Sequence, residues 1–161
     1  MTLARKSVTD SLMDGIHRFD LRVYYEDTDA AGIVYYANYL KFAERARTEM
    51  LRLLGFTQEA MRRRSGHVFA VRHCSADYLA PARLDDELIV ESRLTALGGA
   101  SLEIEQRISC GGQDLVRLVI RLACLDANGR PSRLPPPLRA ALASFHRKSA
   151  AFNGMTDNHA R

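Results

Sequence analysis

Apolar and polar residues alternate along the chain from Ile16 to about Glu26. A period of two is typical of a β-strand with one buried face, so we predict a strand here. The strand ends close to a cluster of acidic and hydroxyl side chains. The face predicted to be buried consists of Phe19, Leu21, Val23 and Tyr25.

The period lengthens to that of an α-helix between about Tyr36 and Leu54. Asn38 is predicted to cap the start of this helix, and Gly55 is predicted to end it. A second, shorter helix is predicted over residues 57–64. The long helix carries one apolar stripe, which is formed by Tyr39, Phe42, Ala43, Ala46, Met50, Leu53 and Leu54.

Four further runs have the composition of strands, and glycine pairs separate the last three of them. Close turns between successive strands predict antiparallel pairing. The first strand has no such neighbour, so it must join the later sheet beyond the long helix. We therefore predict an α+β domain in which an antiparallel sheet covers the long helix. The four runs span residues 68–79, 88–97, 102–110 and 115–125.

A chain of 161 residues suits one domain of ordinary size. We expect a flexible N-terminal arm over residues 1–15, a single domain over residues 16–146 and a disordered tail over residues 147–161. A short helix over residues 138–145 is predicted to close the domain after the three prolines at 135–137.

Composition excludes several classes of protein. The formal net charge is only +4 and no helix-turn-helix pattern is present, so nucleic-acid binding is not expected. Residues 1–15 lack the apolar core of a signal peptide, and no run approaches the roughly 18 apolar residues of a membrane helix. We therefore expect a cytoplasmic protein without a membrane span.

Cysteine and histidine spacing predicts neither a metal site nor a cofactor. Cys74, Cys110 and Cys124 form no C-x-x-C pair, and the five histidines show no paired metal spacing. Each cysteine lies in a strand-like run. We expect all three to be buried as small hydrophobic residues in a reducing compartment.

The candidate chemistry lies between the first strand and the long helix. Asp29 stands a few residues before the helix N-terminus, where unpaired main-chain N–H groups point outward. Such a carboxylate can act as a general base or a nucleophile in acyl transfer to water, while N–H groups near Tyr36 polarise the carbonyl. Taken alone, the local pattern favours an Asx turn or a helix cap at Asp29. Asp27 is predicted to make a turn or a structural hydrogen bond, and Gly32 permits close approach or a positive φ.

Two segments resemble a known family. Residues 22–56, RVYYEDTDAAGIVYYANYLKFAERARTEMLRLLGF, closely resemble the hotdog-fold acyl-CoA thioesterases of the YbgC and 4-hydroxybenzoyl-CoA thioesterase type. Residues 77–88, DYLAPARLDDEL, look like the YbgC branch. The resemblance covers most of the chain from about His17 to Leu134. It implies a five-stranded antiparallel sheet wrapped around the long helix, an acyl-CoA substrate and no cofactor.

The resemblance also implies an assembly and site residues. It implies a homodimer, often paired into a homotetramer, with active sites at the subunit interface. Asp29 takes the catalytic position, and Tyr25 falls at a position linked to the site. Tyr36 stands where YbgC proteins usually carry His, but the 4-hydroxybenzoyl-CoA type carries Tyr there and uses its main-chain N–H. The role of the Tyr36 side chain, the acyl preference and the choice between base and nucleophile stay open. The residues expected beside the substrate are Gly32, Val34 and Tyr35.

Other candidate contacts have competing explanations. Arg83 and the arginine run at 62–64 can hold the phosphates of coenzyme A, although a solvated charge run is favoured for the latter. Ser101 can touch the pantetheine arm or simply occupy a turn. Glu44 is interpreted as structural, because thioesterases that use a helical Glu lack the D-x-D arrangement. The alternative to an enzyme is a hotdog protein that binds acyl-CoA without catalysis or docks to an envelope-associated complex; the motif around Asp29 favours the enzyme.

Overall fold

The computed structural model describes residues 10–156 as a six-stranded antiparallel sheet with three α-helices. The strand order is β1-β2-β4-β5-β6-β3, so the strand that precedes the long helix joins a strand that follows it. The predicted α+β class and this crossover are confirmed. The sheet has one strand more than the five expected. The elements are β1 (Ser11–Met13), β2 (Ile16–Arg22), a 3₁₀ turn (Tyr25–Asp27), α1 (Asn38–Leu53), α2 (Gln58–Ser65), β3 (Val68–Tyr78), β4 (Glu87–Leu97), β5 (Ser101–Cys110), β6 (Gln113–Leu125) and α3 (Pro136–Thr156).

The core lies between α1 and one face of the sheet. Alternate residues of β4, β5 and β6 are buried, as expected for strands that cover a helix with one face. Each large apolar side chain buried there stabilises the fold by about 1.5–3 kcal/mol. The residues of α1 that bury almost all of their surface are Tyr39, Phe42, Ala43, Ala46 and Met50.

One polar network crosses this core. The Gln106 amide on β5 donates to the main-chain oxygen of Ala43 and to the Ser92 hydroxyl, each over 2.9 Å. Its oxygen accepts a hydrogen bond from the buried Arg47 guanidinium over 2.8 Å. Burial lowers the pKa of Arg47. The network anchors the middle of α1 to the sheet, since buried polar groups need partners.

The start of α1 differs from the sequence prediction. Ala37, rather than Asn38, is the N-cap, and no side chain caps the helix. Asn38 is the first helical residue, and its amide instead donates to the main-chain oxygen of Asp27. The competing partner is eleven residues away, so local capping rules did not reveal it.

The end of the first strand also differs. β2 stops at Arg22, and Tyr25 belongs to the 3₁₀ turn, where it is 83% exposed instead of buried. The Asp27 carboxylate accepts a hydrogen bond from the Tyr24 N–H over 2.8 Å and turns the chain away from the sheet. Val23 is therefore the last residue of the alternating run that enters the core.

Both ends of the domain carry more regular structure than the sequence indicates. Residues 11–13 of the expected arm form β1, and residues 147–156 of the expected tail continue α3. Residues 1–9 of the arm and 157–161 of the tail lie outside the described range. The Ser149 hydroxyl donates to the main-chain oxygen of Gly15, so the added elements hold each other. These elements are stabilised by this tertiary contact. The polar composition of the two segments gives no sign of it.

The three cysteines differ in burial. Cys124 is buried and Cys110 is half-buried, but Cys74 is exposed. The prediction of burial was wrong for Cys74, because β3 is an edge strand that pairs only with β6. An edge strand has no neighbouring strand on one side, so its residues are covered less than those of a central strand.

Candidate active site

The connection between β2 and α1 folds back on itself as a tight loop. An isolated antiparallel bridge joins Thr28 to Val34, and the Asp29 N–H donates to the main-chain oxygen of Ile33 over 2.9 Å. Gly32 has a φ of +75° and donates to the main-chain oxygen of Asp29. Only glycine adopts this conformation at little cost. The loop therefore presents Asp29 at its tip, as the turn prediction required.

The Asp29 side chain is exposed at this tip. One carboxylate oxygen, Oδ1, accepts a hydrogen bond from the Ala31 N–H over 2.8 Å, which is the expected Asx turn. No residue within 10–156 donates to the other oxygen. The turn orients the carboxylate and leaves Oδ2 available to a water molecule or a substrate.

One main-chain donor lies beside this loop, just before the N-terminus of α1. No side chain caps the helix, and the Tyr36 N–H has no partner among the described residues. The carbonyl of the same peptide group, that of Tyr35, accepts from the Asn38 N–H over 2.8 Å. The Tyr36 carbonyl accepts from the Tyr78 hydroxyl over 3.1 Å. These bonds hold the carbonyls and leave the N–H side open to a ligand, as at anion sites on helix N-termini.

Aromatic rings surround the same junction. The Tyr36 ring lies 4.9 Å from Tyr35 and 6.1 Å from Tyr78, centroid to centroid. Tyr39 is buried 5.9 Å from Tyr78, and burial raises its pKa. The Tyr39 hydroxyl accepts from the Ala82 N–H, which fixes the segment before β4 against the helix. Sequence reasoning missed Tyr78, because its contact with Tyr36 spans 42 residues and no local pattern announces it.

The other residues predicted to contact the substrate differ in burial. Val34 is buried in the core and is bonded to Ala82, so its side chain packs instead of facing solvent. Arg83 follows Ala82 directly, and its N–H donates to the Asp86 carboxylate over 2.8 Å. Its exposed position beside the loop suits contact with a ligand. Tyr25 is on the same loop but is exposed and makes no ring contact within the described residues.

Ser101 lies at the far end of the sheet in this chain. It stands opposite Ala123 on β6, whereas Tyr78 stands opposite Val116. Positions 116 and 123 differ by seven residues, which separates the two ends by roughly 23 Å at about 3.3 Å per residue. A cavity of about 450 Å³ borders Ser101, together with Arg72, His73, Glu103 and Arg121. Within one chain, Asp29 and Ser101 therefore do not meet.

Two candidate groups have other partners. Arg62 and Arg63 both contact the Glu59 carboxylate over 2.8–3.0 Å, which lowers the pKa of Glu59. The Glu44 carboxylate accepts from the Thr48 hydroxyl over 2.7 Å. These are ordinary helix-surface pairs. Among residues 10–156, no cluster of His, Cys, Asp and Glu side chains suits a metal ion.

Comparison with known proteins agrees with this fold. The sequence model of the thioesterase-like superfamily matches residues 23–142. The acyl-CoA thioesterase YbgC of Haemophilus influenzae is 41% identical over 136 residues, which cover 84% of this chain and 98% of that protein. The acyl-CoA thioester hydrolase YbgC of Escherichia coli O6:H1 is 42% identical over 127 residues, covering 78% and 94%.

Solved structures agree as well. A probable thioesterase from Bartonella henselae superimposes with a TM-score of 0.72 at 38% identity, covering 74% of this chain and 99% of that one. A thioesterase from Thermus thermophilus complexed with coenzyme A and zinc has a TM-score of 0.71 at 28% identity, covering 83% and 95%.

The chain is a thioester hydrolase of the hotdog fold, as its antiparallel sheet packed on one long helix and its thioesterase relatives show. The chain belongs to the thioesterase-like superfamily, and within it to the YbgC group that the sequence resemblance indicated. No helix in the described part of the chain is long and apolar enough to cross a membrane.

Proposed function

We propose that this protein hydrolyses acyl-CoA thioesters to a free acid and coenzyme A, with Asp29 and the Tyr36 N–H acting on the same carbonyl. The observation that carries the proposal is the loop, which joins an exposed carboxylate to an uncapped helix N-terminus. The names of the YbgC relatives support the substrate class. A protein that only binds acyl-CoA has no need of a carboxylate beside the thioester.

Two routes fit the residues. As a general base, Asp29 takes a proton from water while the oxygen attacks the thioester carbon, and the thiolate of coenzyme A leaves; this contributes about 10²–10⁴-fold. As a nucleophile, it forms a mixed anhydride and expels the thiolate, after which water opens the anhydride. In both routes the Tyr36 N–H donates to the developing oxyanion, a contact typically worth about 2.7–4 kcal/mol.

The proposed assembly is a homodimer that forms through the free edge of β3. Two such dimers can pair into a homotetramer. Val71, Cys74 and Tyr78 are all exposed on this edge strand, whereas the central strands bury alternate residues. An exposed strand with apolar side chains is a template for pairing with another chain. Antiparallel pairing of β3 with its copy brings the start of one strand near the end of the other. The cavity at Ser101 of one subunit then approaches the Asp29 loop of the other, where it can take part of coenzyme A together with Arg83.

Replacement of the catalytic carboxylate tests the activity. In Asp29→Asn, the release of free thiol from a panel of acyl-CoAs is expected to fall at least about 100-fold, because the amide neither accepts a proton nor attacks the carbonyl. The matched control is Asp126→Asn, since Asp126 accepts from the Asn128 and Arg130 N–H groups in a similar turn and does not line the cavity at Ser101. The control is expected to keep the wild-type rate.

Equal rates for Asp29→Asn and wild type would end the catalytic assignment. A wild-type protein that binds acyl-CoAs but releases no thiol from any of them would favour the non-catalytic alternative. Circular dichroism of each variant shows whether the fold is retained, so that a loss of activity is not a loss of structure.

A further inference from the structure

Asn38 and Asp27 are two buried polar residues that neither catalysis nor core packing accounts for. Asn38 is 8% exposed and Asp27 is 7% exposed. The Asn38 side-chain amide donates to the main-chain oxygen of Asp27 over 2.9 Å. Because a carbonyl only accepts, the nitrogen of the amide must face it. A buried hydrogen bond of this kind is costly to break.

Asp27 is held from three further directions. Its main-chain oxygen also accepts from the Tyr35 N–H over 2.9 Å, and its N–H donates to the main-chain oxygen of Tyr24 over 3.0 Å. Its carboxylate accepts from the Tyr24 N–H over 2.8 Å. Asp27 is thus a fixed point on the strand side of the loop, two residues before Asp29.

Asn38 also controls the other side of the site. Its own N–H donates to the Tyr35 carbonyl over 2.8 Å. That carbonyl belongs to the peptide group whose N–H is the Tyr36 donor. In a planar trans peptide the N–H and the C=O point in opposite directions. Holding the Tyr35 oxygen therefore sets the direction of the Tyr36 N–H.

The choice of partner at Asn38 is informative. An asparagine at a helix start ordinarily stabilises the helix by accepting from the N–H groups of the first turn. Here the side chain turns to Asp27 instead, and α1 has no side-chain cap. The side chain therefore gives up a local cap and instead ties the start of α1 to the strand side of the loop.

We propose that Asn38 is a positioning residue, which sets the spacing between the Asp29 carboxylate and the Tyr36 N–H by binding both sides of the loop. The inference rests on the proposed function, because it assigns Asn38 a role in that same reaction. It acts through Asp27 and Tyr35 and touches no substrate atom.

The test replaces Asn38 by Leu, which is similar in size and lacks the donor. The turnover number is expected to fall about 10- to 100-fold, since a displacement of about 1 Å at a reacting centre has effects of that order. The KM, and the Kd of a non-hydrolysable thioether analogue of acyl-CoA, are expected to stay within about threefold, because ground-state binding does not need the exact spacing. Asn38→Gln, which keeps an amide donor, is expected to recover part of the turnover.

The matched control is Gln106→Leu. Gln106 is a buried amide, 2% exposed, that donates to a main-chain oxygen of the same helix at a distance from the site. This variant is expected to lose thermal stability but keep the turnover of the folded fraction within about threefold of wild type. A fall in turnover equal to that of Asn38→Leu would assign both effects to general loosening and overturn the proposal.

A double-mutant cycle with Asp29→Asn separates the inference from the proposed function. If Asn38 acts through Asp29, adding Asn38→Leu to Asp29→Asn is expected to cause little further loss. The same fractional loss in both backgrounds overturns the inference. An inactive Asp29→Asn beside a fully active Asn38→Leu overturns the inference alone, whereas an active Asp29→Asn overturns the function. If Asn38→Leu does not fold, Asn38→Ser, whose hydroxyl is too short to reach Asp27, provides the same measurements.

Discussion

Tyr36 combines two groups with different roles at the residue scale. Its main-chain N–H has no partner within residues 10–156, while its ring packs with Tyr35 and Tyr78. The neighbouring Tyr36 phenol raises the pKa of Tyr35. The proposed chemistry needs only the N–H, which every residue except proline retains at this position.

Tyr36→Phe is therefore expected to keep kcat/KM within about threefold of wild type, because the main-chain donor survives the change. The measurement is thiol release at several acyl-CoA concentrations, with Asp29→Asn as the inactive reference. A loss approaching that of Asp29→Asn would show that the phenol takes part in the reaction.

At the scale of elements, α3 and the β1–β2 hairpin form a single unit. Gly15, in the hairpin turn, has a φ of +72°, and a Cβ placed there would overlap main-chain atoms of Lys148 and Ser149. His17, two residues further along in β2, is fully buried and hydrogen-bonded to Asp10, and burial lowers its pKa. The close approach of helix and turn therefore depends on the missing side chain at position 15.

Gly15→Ala is expected to lower the free energy of unfolding by about 1–3 kcal/mol, because the added methyl group forces α3 away from the hairpin. Gly129→Ala is the matched control, since Gly129 also has a positive φ, +74°, but no atom of the described residues lies within 4 Å of an added Cβ. The control is expected to show only the smaller conformational cost, about 1 kcal/mol. Urea titration measures both, and equal losses would contradict the packing argument.

The edge of β3 is the feature that matters most for the whole molecule. An 11-residue strand lies at the end of the sheet with most of its residues exposed. Tyr78, at the end of this strand, bonds the Tyr36 carbonyl, so the edge is connected to the site. If a second copy covers the edge, assembly and catalysis depend on each other.

Val71→Lys is expected to produce a monomer with reduced thioesterase activity, because a lysine on an edge strand opposes pairing with another strand. Val71 is 54% exposed, so the single chain should still fold. Leu53→Lys, at a position 45% exposed on α1, is the control that keeps the assembly. Sedimentation gives the mass of each variant. A dimeric Val71→Lys protein, or a fully active wild-type monomer, would disprove the proposed interface.

Much of the site could be predicted from a single stretch of sequence. Asp29, Gly32 and Tyr36 lie within eight residues, so their common loop follows from the change of period between strand and helix. Asn38 was expected to cap the helix, because capping rules consider only the first turn. Its actual partner, Asp27, competes successfully only once the loop has closed.

The sequence by itself determined the local elements, since a period of two or of 3.6 is carried by neighbouring residues and selects strand or helix wherever one face is buried. Only the tertiary structure decided which distant groups meet: Tyr78 at the Tyr36 carbonyl, Ser149 at Gly15, and Ser101 at the end of the sheet remote from Asp29. The physical reason is that hydrophobic burial is non-directional, so it shows in the sequence as a periodic pattern of apolar residues. A hydrogen bond instead requires two particular groups within about 3 Å, and only the packed fold brings distant groups that close.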